Sequence, residues 1–242
     1  MWGSRRVSVA LPPATRWVMT LLAPVQARAR RQGALATAPV TLSIIVLSFV
    51  ATARVRMPAP VPDAAAKVLV YRGQDLFHGG WWRLPASALL AQSWWQWAST
   101  CAIVALVGAA LEVRIGGRAL AAVVLVAHCL PTVVVAGYAR LADVAELARP
   151  DYGMSCVMVG TAAALVGRTR SIPMGALLML SLAGDPLFNS RVTITEHLLA
   201  ATLGVTAGAL LARRANRAEP AGQLVHLPVR APADDLAERL PA

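Results

Sequence analysis

Six apolar stretches, none of them carrying a lysine or arginine, dominate this chain and limit what it can fold into. They cover residues 33–53, 94–111, 119–138, 153–167, 171–184 and 192–212. A membrane span needs roughly 20 apolar residues, and backbone in lipid must satisfy its own hydrogen bonds, which helices do. The mean hydropathy of +0.58 lies far above that of a soluble domain of this size. With 57% hydrophobic and only 14% charged residues, the expectation is an all-α polytopic membrane protein, a bundle of six transmembrane helices.

The net charge of +11 raises the question of nucleic acid. The basic residues, however, are nearly all arginines flanking the apolar stretches, with no interleaved basic and aromatic clusters. That placement favours membrane topology signals over a nucleic-acid footprint. Lys67 is the only lysine, and the Ala-, Arg- and Val-rich composition points to a high-GC bacterial genome, hence a bacterial plasma membrane. Cys101, Cys129 and Cys156 all fall in apolar stretches without Cys-x-x-Cys spacing. They form neither a disulfide framework nor a zinc site, and no metal or cofactor is expected.

Orientation follows from arginine placement. Arg114 and Arg118 fill the short loop between spans 2 and 3, and Arg168 and Arg170 the loop between spans 4 and 5. Arg5, Arg6, Arg16, Arg28, Arg30 and Arg31 precede span 1, and Arg213, Arg214 and Arg217 follow span 6. All lie on one side of a six-span frame, so both termini are cytoplasmic. Residues 1–32 read as a basic segment, with an amphipathic helix over 14–32 on the inner surface. Residues 33–213 form the membrane domain, and 214–242 a disordered cytoplasmic tail. Five of the seven tryptophans, Trp81, Trp82, Trp94, Trp95 and Trp97, gather near the outer end of span 2 as an interfacial belt.

Polar groups at membrane depth are expensive, so the few present carry information. Gly153-Met154-Ser155 opens span 4, and Glu196-His197 lies in the first turns of span 6. Gln96 and Thr100 stand one helical turn apart at the start of span 2, and His128 sits mid-span in span 3. Spans 2, 4 and 6 all enter from the outside, so Ser155, His197 and Gln96 share one depth. Span 4 adds about 15 residues at 1.5 Å each, roughly 22 Å against a hydrocarbon core of about 30 Å. Its inner end is pinned by Arg168 and Arg170, so Ser155 should lie below the outer surface, at the floor of a wet pocket. Cys156, Gly160, Ala163, Ala164 and Gly167 line one face of span 4. Ala200, Gly204 and Gly208 repeat at four on the His197 face of span 6, which suits close helix approach.

A serine hydroxyl becomes a nucleophile when a base takes its proton, and histidine does this near neutral pH. Ser155 and His197 in a wet pocket have the parts for acyl transfer. No aspartate inside the spans completes a triad, and Glu196 points about 100° away from His197 on a helix, so a dyad is expected. A serine at a helix start also serves as an N-cap, and a histidine near a span end also reaches water. The conjunction carries the reading. His128 has no partner that the sequence names.

Taken in order, these motifs resemble the rhomboid family of intramembrane serine proteases over about residues 35–212. Trp82-Arg83 matches the family's Trp-Arg loop motif, and Glu112-Val113-Arg114-Ile115-Gly116 its Glu-x-Arg-x-Gly pattern. Gly153-Met154-Ser155-Cys156 stands where the family has Gly-x-Ser-Gly, and His197 with Gly204 and Gly208 where it has its span-6 His and glycines. The resemblance implies Ser155 as nucleophile, His197 as base, and Gln96 and Thr100 at the oxyanion positions, where the family carries His and Asn. Cys156 replaces a glycine and Ala200 a packing glycine. The implied activity is cleavage of transmembrane or membrane-proximal substrates near their outer ends, within the lipid bilayer and without metal or cofactor. Two alternatives remain: a pseudoprotease of the same fold that binds membrane-protein clients, and a small transporter using His128 and the outer pocket. Oligomeric state is not specified by the sequence.

Overall fold

The structure, a computed structural model, describes residues 12–56, 68–142 and 145–218. The α-helices that build the bundle among these residues are α1 Pro13–Gln32, α2 Ala34–Thr37, α3 Pro39–Arg56, α4 Arg83–Ser87, α5 Trp94–Ile115, α6 Gly117–Ala142, α7 Met154–Thr169, α8 Ile172–Gly184 and α9 Arg191–Ala218. A two-residue antiparallel pair joins β1, Tyr71–Arg72, to β2, Pro150–Asp151. Each of the six apolar stretches is helical. Four helices, α3, α5, α6 and α9, are long and apolar enough to cross a membrane. The two other apolar helices are shorter, α7 with 16 residues and α8 with 13. The protein is thus a mostly helical, membrane-embedded protein.

Two boundaries differ from the sequence reading. The first apolar stretch does not run as one helix from residue 33. Gly33 takes φ 85° and Ala38 leaves helical geometry, with α3 restarting at Pro39. Proline lacks the N–H that a continuing helix would use and disfavours helical backbone in the residue before it, so the restart falls there. At the other end, α9 runs past residue 213 to Ala218; the rest of the expected tail lies outside the described residues, as do residues 1–11. The amphipathic segment over 14–32 is α1.

The Glu-x-Arg-x-Gly pattern does three jobs at the end of α5. Glu112, almost fully buried, accepts hydrogen bonds from Val40 N (3.0 Å), Thr41 N (2.8 Å) and Thr41 Oγ1 (2.8 Å). It thereby satisfies the free amides at the start of α3 and places a negative group at that helix's positive end. Arg114 donates to Leu21 O at 2.9 Å and holds α1 against the bundle. Gly116, at φ 83°, ends the helix in a conformation that glycine adopts without strain. Trp17 Nε1 also ties α1 down, donating to Ser171 Oγ at 2.9 Å, just beyond the C-terminal end of α7.

Helix α7 is the centre of the bundle, with α9, α5 and α6 packed around it. The α7–α9 seam depends on missing side chains. A Cβ on Gly208 would stand 2.0 Å from Ala164 O, and one on Gly204 2.3 Å from Gly160 O. A Cβ on Gly167 would meet Val205 O at 2.1 Å. These two backbones touch, as the four-residue spacing of small residues predicts. Many large apolar side chains, among them Val46, Leu47 and Val50 on α3 and Leu177, Met179 and Leu180 on α8, point out of the bundle. That is a surface suited to hydrocarbon rather than water.

Candidate active site

Helix α7 begins inside protein, not at a surface. Gly153 N donates to Ser87 O at 2.9 Å and Met154 N to Leu90 O at 3.3 Å. The first free amides of α7 are therefore satisfied by the α4 segment, so its first turn can sit deep without exposing backbone. The β1–β2 pair, with Tyr71 opposite Asp151, holds the chain that leads into this turn. Ser155 follows two residues after Gly153, on that turn.

The tight α7–α9 seam brings His197 alongside. His197 Nε2 lies 3.0 Å from Ser155 Oγ. The sequence expectation of a dyad is corrected at this point: Asp185 Oδ2 lies 2.6 Å from His197 Nδ1. Asp185 heads a 3-10 turn, Asp185–Leu187, between α8 and α9, outside the apolar stretches. Its other oxygen accepts from Asn189 Nδ2 at 3.2 Å, and its backbone carbonyl accepts from Phe188 N and Asn189 N. The carboxyl is fixed, not merely nearby. A carboxylate can only accept, so Nδ1 carries the imidazole hydrogen and Nε2 is left to accept from the Ser155 hydroxyl. His197 is 4% exposed and the Asp185 side chain 12%, so this pair is largely shielded from water, while Ser155 is half-buried. Glu196, expected to be a poor orienter, lines the cavity beside His197, whose two ring nitrogens bond Asp185 and Ser155.

All three side chains line one cavity of about 830 Å³. Gln96 and Thr100 line it too, both on the first turns of α5. Ser93 Oγ caps that helix, accepting from Gln96 N at 3.1 Å. The Gln96 side-chain oxygen accepts from Gln92 N at 2.5 Å, which leaves its NH2 as the end free to donate. Asp151, Tyr71, Arg56 and Arg149 also border the cavity. Burial pushes the Asp151 carboxyl up from its ordinary range, against the pull of His128 and His197. Burial first, then Asp151 and Asp75, raise the Tyr71 phenol, which stays a protonated donor.

The remaining motif residues do not line this cavity. Arg83 heads α4 and places its guanidinium 3.4 Å from Asp75 and 5.5 Å from the Trp82 ring. Gly204 and Gly208 make the α7–α9 seam. Cys156 is buried in the core, a free thiol, and does not border the cavity. His128 lies in mid α6, fully buried, with its ring against Gly153. Among the described residues no cluster of three or more His, Cys, Asp or Glu side chains is arranged to hold a metal ion. No protein-family model matches the chain, and no curated protein matches it.

Proposed function

We propose that the protein is a rhomboid-like intramembrane serine protease, a six-helix bundle that hydrolyses peptide bonds of transmembrane or membrane-proximal segments. The observation that carries this reading is the unbroken relay Asp185–His197–Ser155 inside a polar cavity. Geometry and roles define such a relay, whatever the fold or the order in the chain. In this reaction Ser155 Oγ attacks the scissile carbonyl carbon while its proton passes to His197 Nε2. Asp185 stabilises the imidazolium so formed. The oxyanion receives hydrogen bonds from Gln96 and Thr100. His197 then gives its proton to the leaving amine as the C–N bond breaks. A water deprotonated by His197 releases the acyl group and returns the serine hydroxyl.

The short α7 and α8 cross the membrane with the four longer helices in this reading. The cavity faces the outer side. The arginines around α1, which packs at the opposite end of α7 from Ser155, face the cytoplasm of a bacterial cell. Labelling of the purified protein by a fluorophosphonate probe tests the proposal. Wild type should label at Ser155, and Ser155→Ala and His197→Ala should not. A wild type that does not label, yet captures a membrane helix, would make it a binding protein of the same fold.

A further inference from the structure

His128 is one of the buried titratable groups that the relay leaves unused. His128 is completely enclosed, 27 residues ahead of Ser155 on a different helix, and it belongs to none of the sequence motifs around the site. Burying an imidazole among apolar helices is costly unless its polar atoms are bonded. Its Nε2 lies 2.9 Å from Leu84 O and 3.0 Å from Ser87 Oγ, both on α4. A carbonyl only accepts, so Nε2 carries the hydrogen. Ser87 Oγ in turn donates to the same Leu84 O at 2.9 Å, closing a triangle around the α4 backbone. Nδ1 is bare and has no hydrogen-bond partner among the described residues.

The other side of the ring meets α7. A Cβ at residue 153 would stand 2.0 Å from His128 Cε1, 2.3 Å from Nδ1 and 2.7 Å from Nε2. No side chain fits there, so the ring rests on the glycine backbone itself. That same glycine donates from its N–H to Ser87 O at 2.9 Å. Helices α4, α6 and α7 therefore meet at one imidazole: its Nε2–H holds α4, α4 holds the amide of Gly153, and the ring sets how near Gly153 can come.

From this contact, and resting on the hydrolase reading of Ser155 and His197, we propose that His128 is a positioning residue for the nucleophile. It fixes where α7 begins and so keeps Ser155 Oγ within reach of His197 Nε2. Leverage is short, since Gly153 and Ser155 share one helical turn. A misplacement of about 1 Å in a reacting group can cost about a hundredfold in rate. A histidine that only filled space could be replaced by any side chain of similar volume, and this one could not.

The test uses the full chain in detergent micelles with 15N-labelled histidine, and two separate readouts. The first is the His197 Nε2 resonance, which reports its bond to Ser155 whether or not the protein hydrolyses anything. The second is the rate of fluorophosphonate labelling. His128→Leu should shift the His197 signal and slow labelling by about tenfold or more in protein that is still folded at the assay temperature. His128→Gln, whose amide nitrogen can reach the Nε2 position, should restore most of both. Gly153→Ala pushes on the ring from the other side without opening a cavity, and should shift the His128 and His197 signals alike. Adding His128→Ala to Gly153→Ala makes room for the new methyl and should raise labelling above that of Gly153→Ala alone. A His197 signal and labelling rate at wild-type values in His128→Leu would overturn the proposal. So would His128→Gln behaving no better than His128→Leu. If His128→Leu does not fold, the Gly153→Ala signals decide. If wild type does not label, the hydrolase reading falls and the His197 resonance still decides the positioning role.

Discussion

Asp185 and His197 face each other across the α8–α9 turn at 2.6 Å, and this pair fixes which nitrogen of the histidine is free for Ser155. The Asp185→Asn variant tests that consequence sharply. Asn189 Nδ2 donates to Oδ1 of residue 185, so an asparagine there would keep its oxygen toward Asn189 and turn its NH2 toward the imidazole. Nδ1 would then have to accept, Nε2 would keep the hydrogen, and Ser155 would lose its base. Labelling and cleavage should fall by about 10²–10⁴-fold with the unfolding temperature little changed. Combined with His197→Ala, the substitution should add nothing, because the two residues act as a unit. Kinetics of the two single variants and the double variant, measured with one reporter substrate, check this.

Gln96 offers a donor at the lining of the cavity. Its oxygen is engaged by Gln92 N, so the NH2 is the group available to a developing oxyanion. Gln96→Leu should lower kcat by about 10²–10³-fold, the usual cost of one oxyanion donor, with a smaller effect on KM. Gln96→His supplies an N–H from the same helical position and should recover part of the loss. A Gln96→Leu variant with wild-type kcat would remove Gln96 from the reaction.

Much of this site was legible in the sequence. Ser155 and His197 stood out because polar residues inside apolar stretches are costly and rarely idle. Counting six spans places them at a similar depth, and the structure brings their side chains to 3.0 Å. The glycine seam was visible as a four-residue period. Asp185 was not legible, because a turn residue after an apolar stretch has no local pattern that distinguishes a relay member from an ordinary helix terminator. Only the folding of the α8–α9 turn over the end of α9 puts it beside His197. The partners of His128 were hidden for a different reason: Leu84 and Ser87 are more than forty residues away, on a helix of five residues with no periodicity to read. The break before Pro39 was open to inspection, since proline marks it, but the hydropathy runs on through it.

The α7–α9 seam sets stability through three glycines, Gly167, Gly204 and Gly208. Gly208→Val would drive a branched side chain into Ala164 O, where even a Cβ stands at 2.0 Å, and helix backbone cannot yield cheaply. Overpacking of this kind costs about 1–3 kcal/mol and sometimes more, so the variant should melt well below wild type. Gly137 on α6 is the matched control, since a Cβ there meets nothing within 4 Å. Gly137→Ala should leave stability unchanged or raise it by about 0.5–1 kcal/mol. Thermal unfolding of both variants in the same detergent distinguishes a seam held by close approach from a helix pair that merely lies adjacent.

Asp151 gives the protein a pH dependence of defined sign. Its carboxyl is raised by burial in the folded state, while in the unfolded chain it titrates near about 3.9. The fold therefore favours the protonated acid. The stability this group allows is fully present below about pH 4 and is lost as pH rises through the raised folded value. One of its oxygens, Oδ2, is buried with no hydrogen-bond partner among the described residues, and burial outweighs the opposing pull of His128, His197 and the Tyr152 backbone. Asp151→Asn keeps the shape and cannot ionise. Its unfolding temperature should vary less between acid and alkaline pH than that of wild type, and should exceed wild type at the alkaline end. Melting curves of the two proteins across a pH series measure this, and parallel profiles would show that Asp151 is solvated in the folded protein.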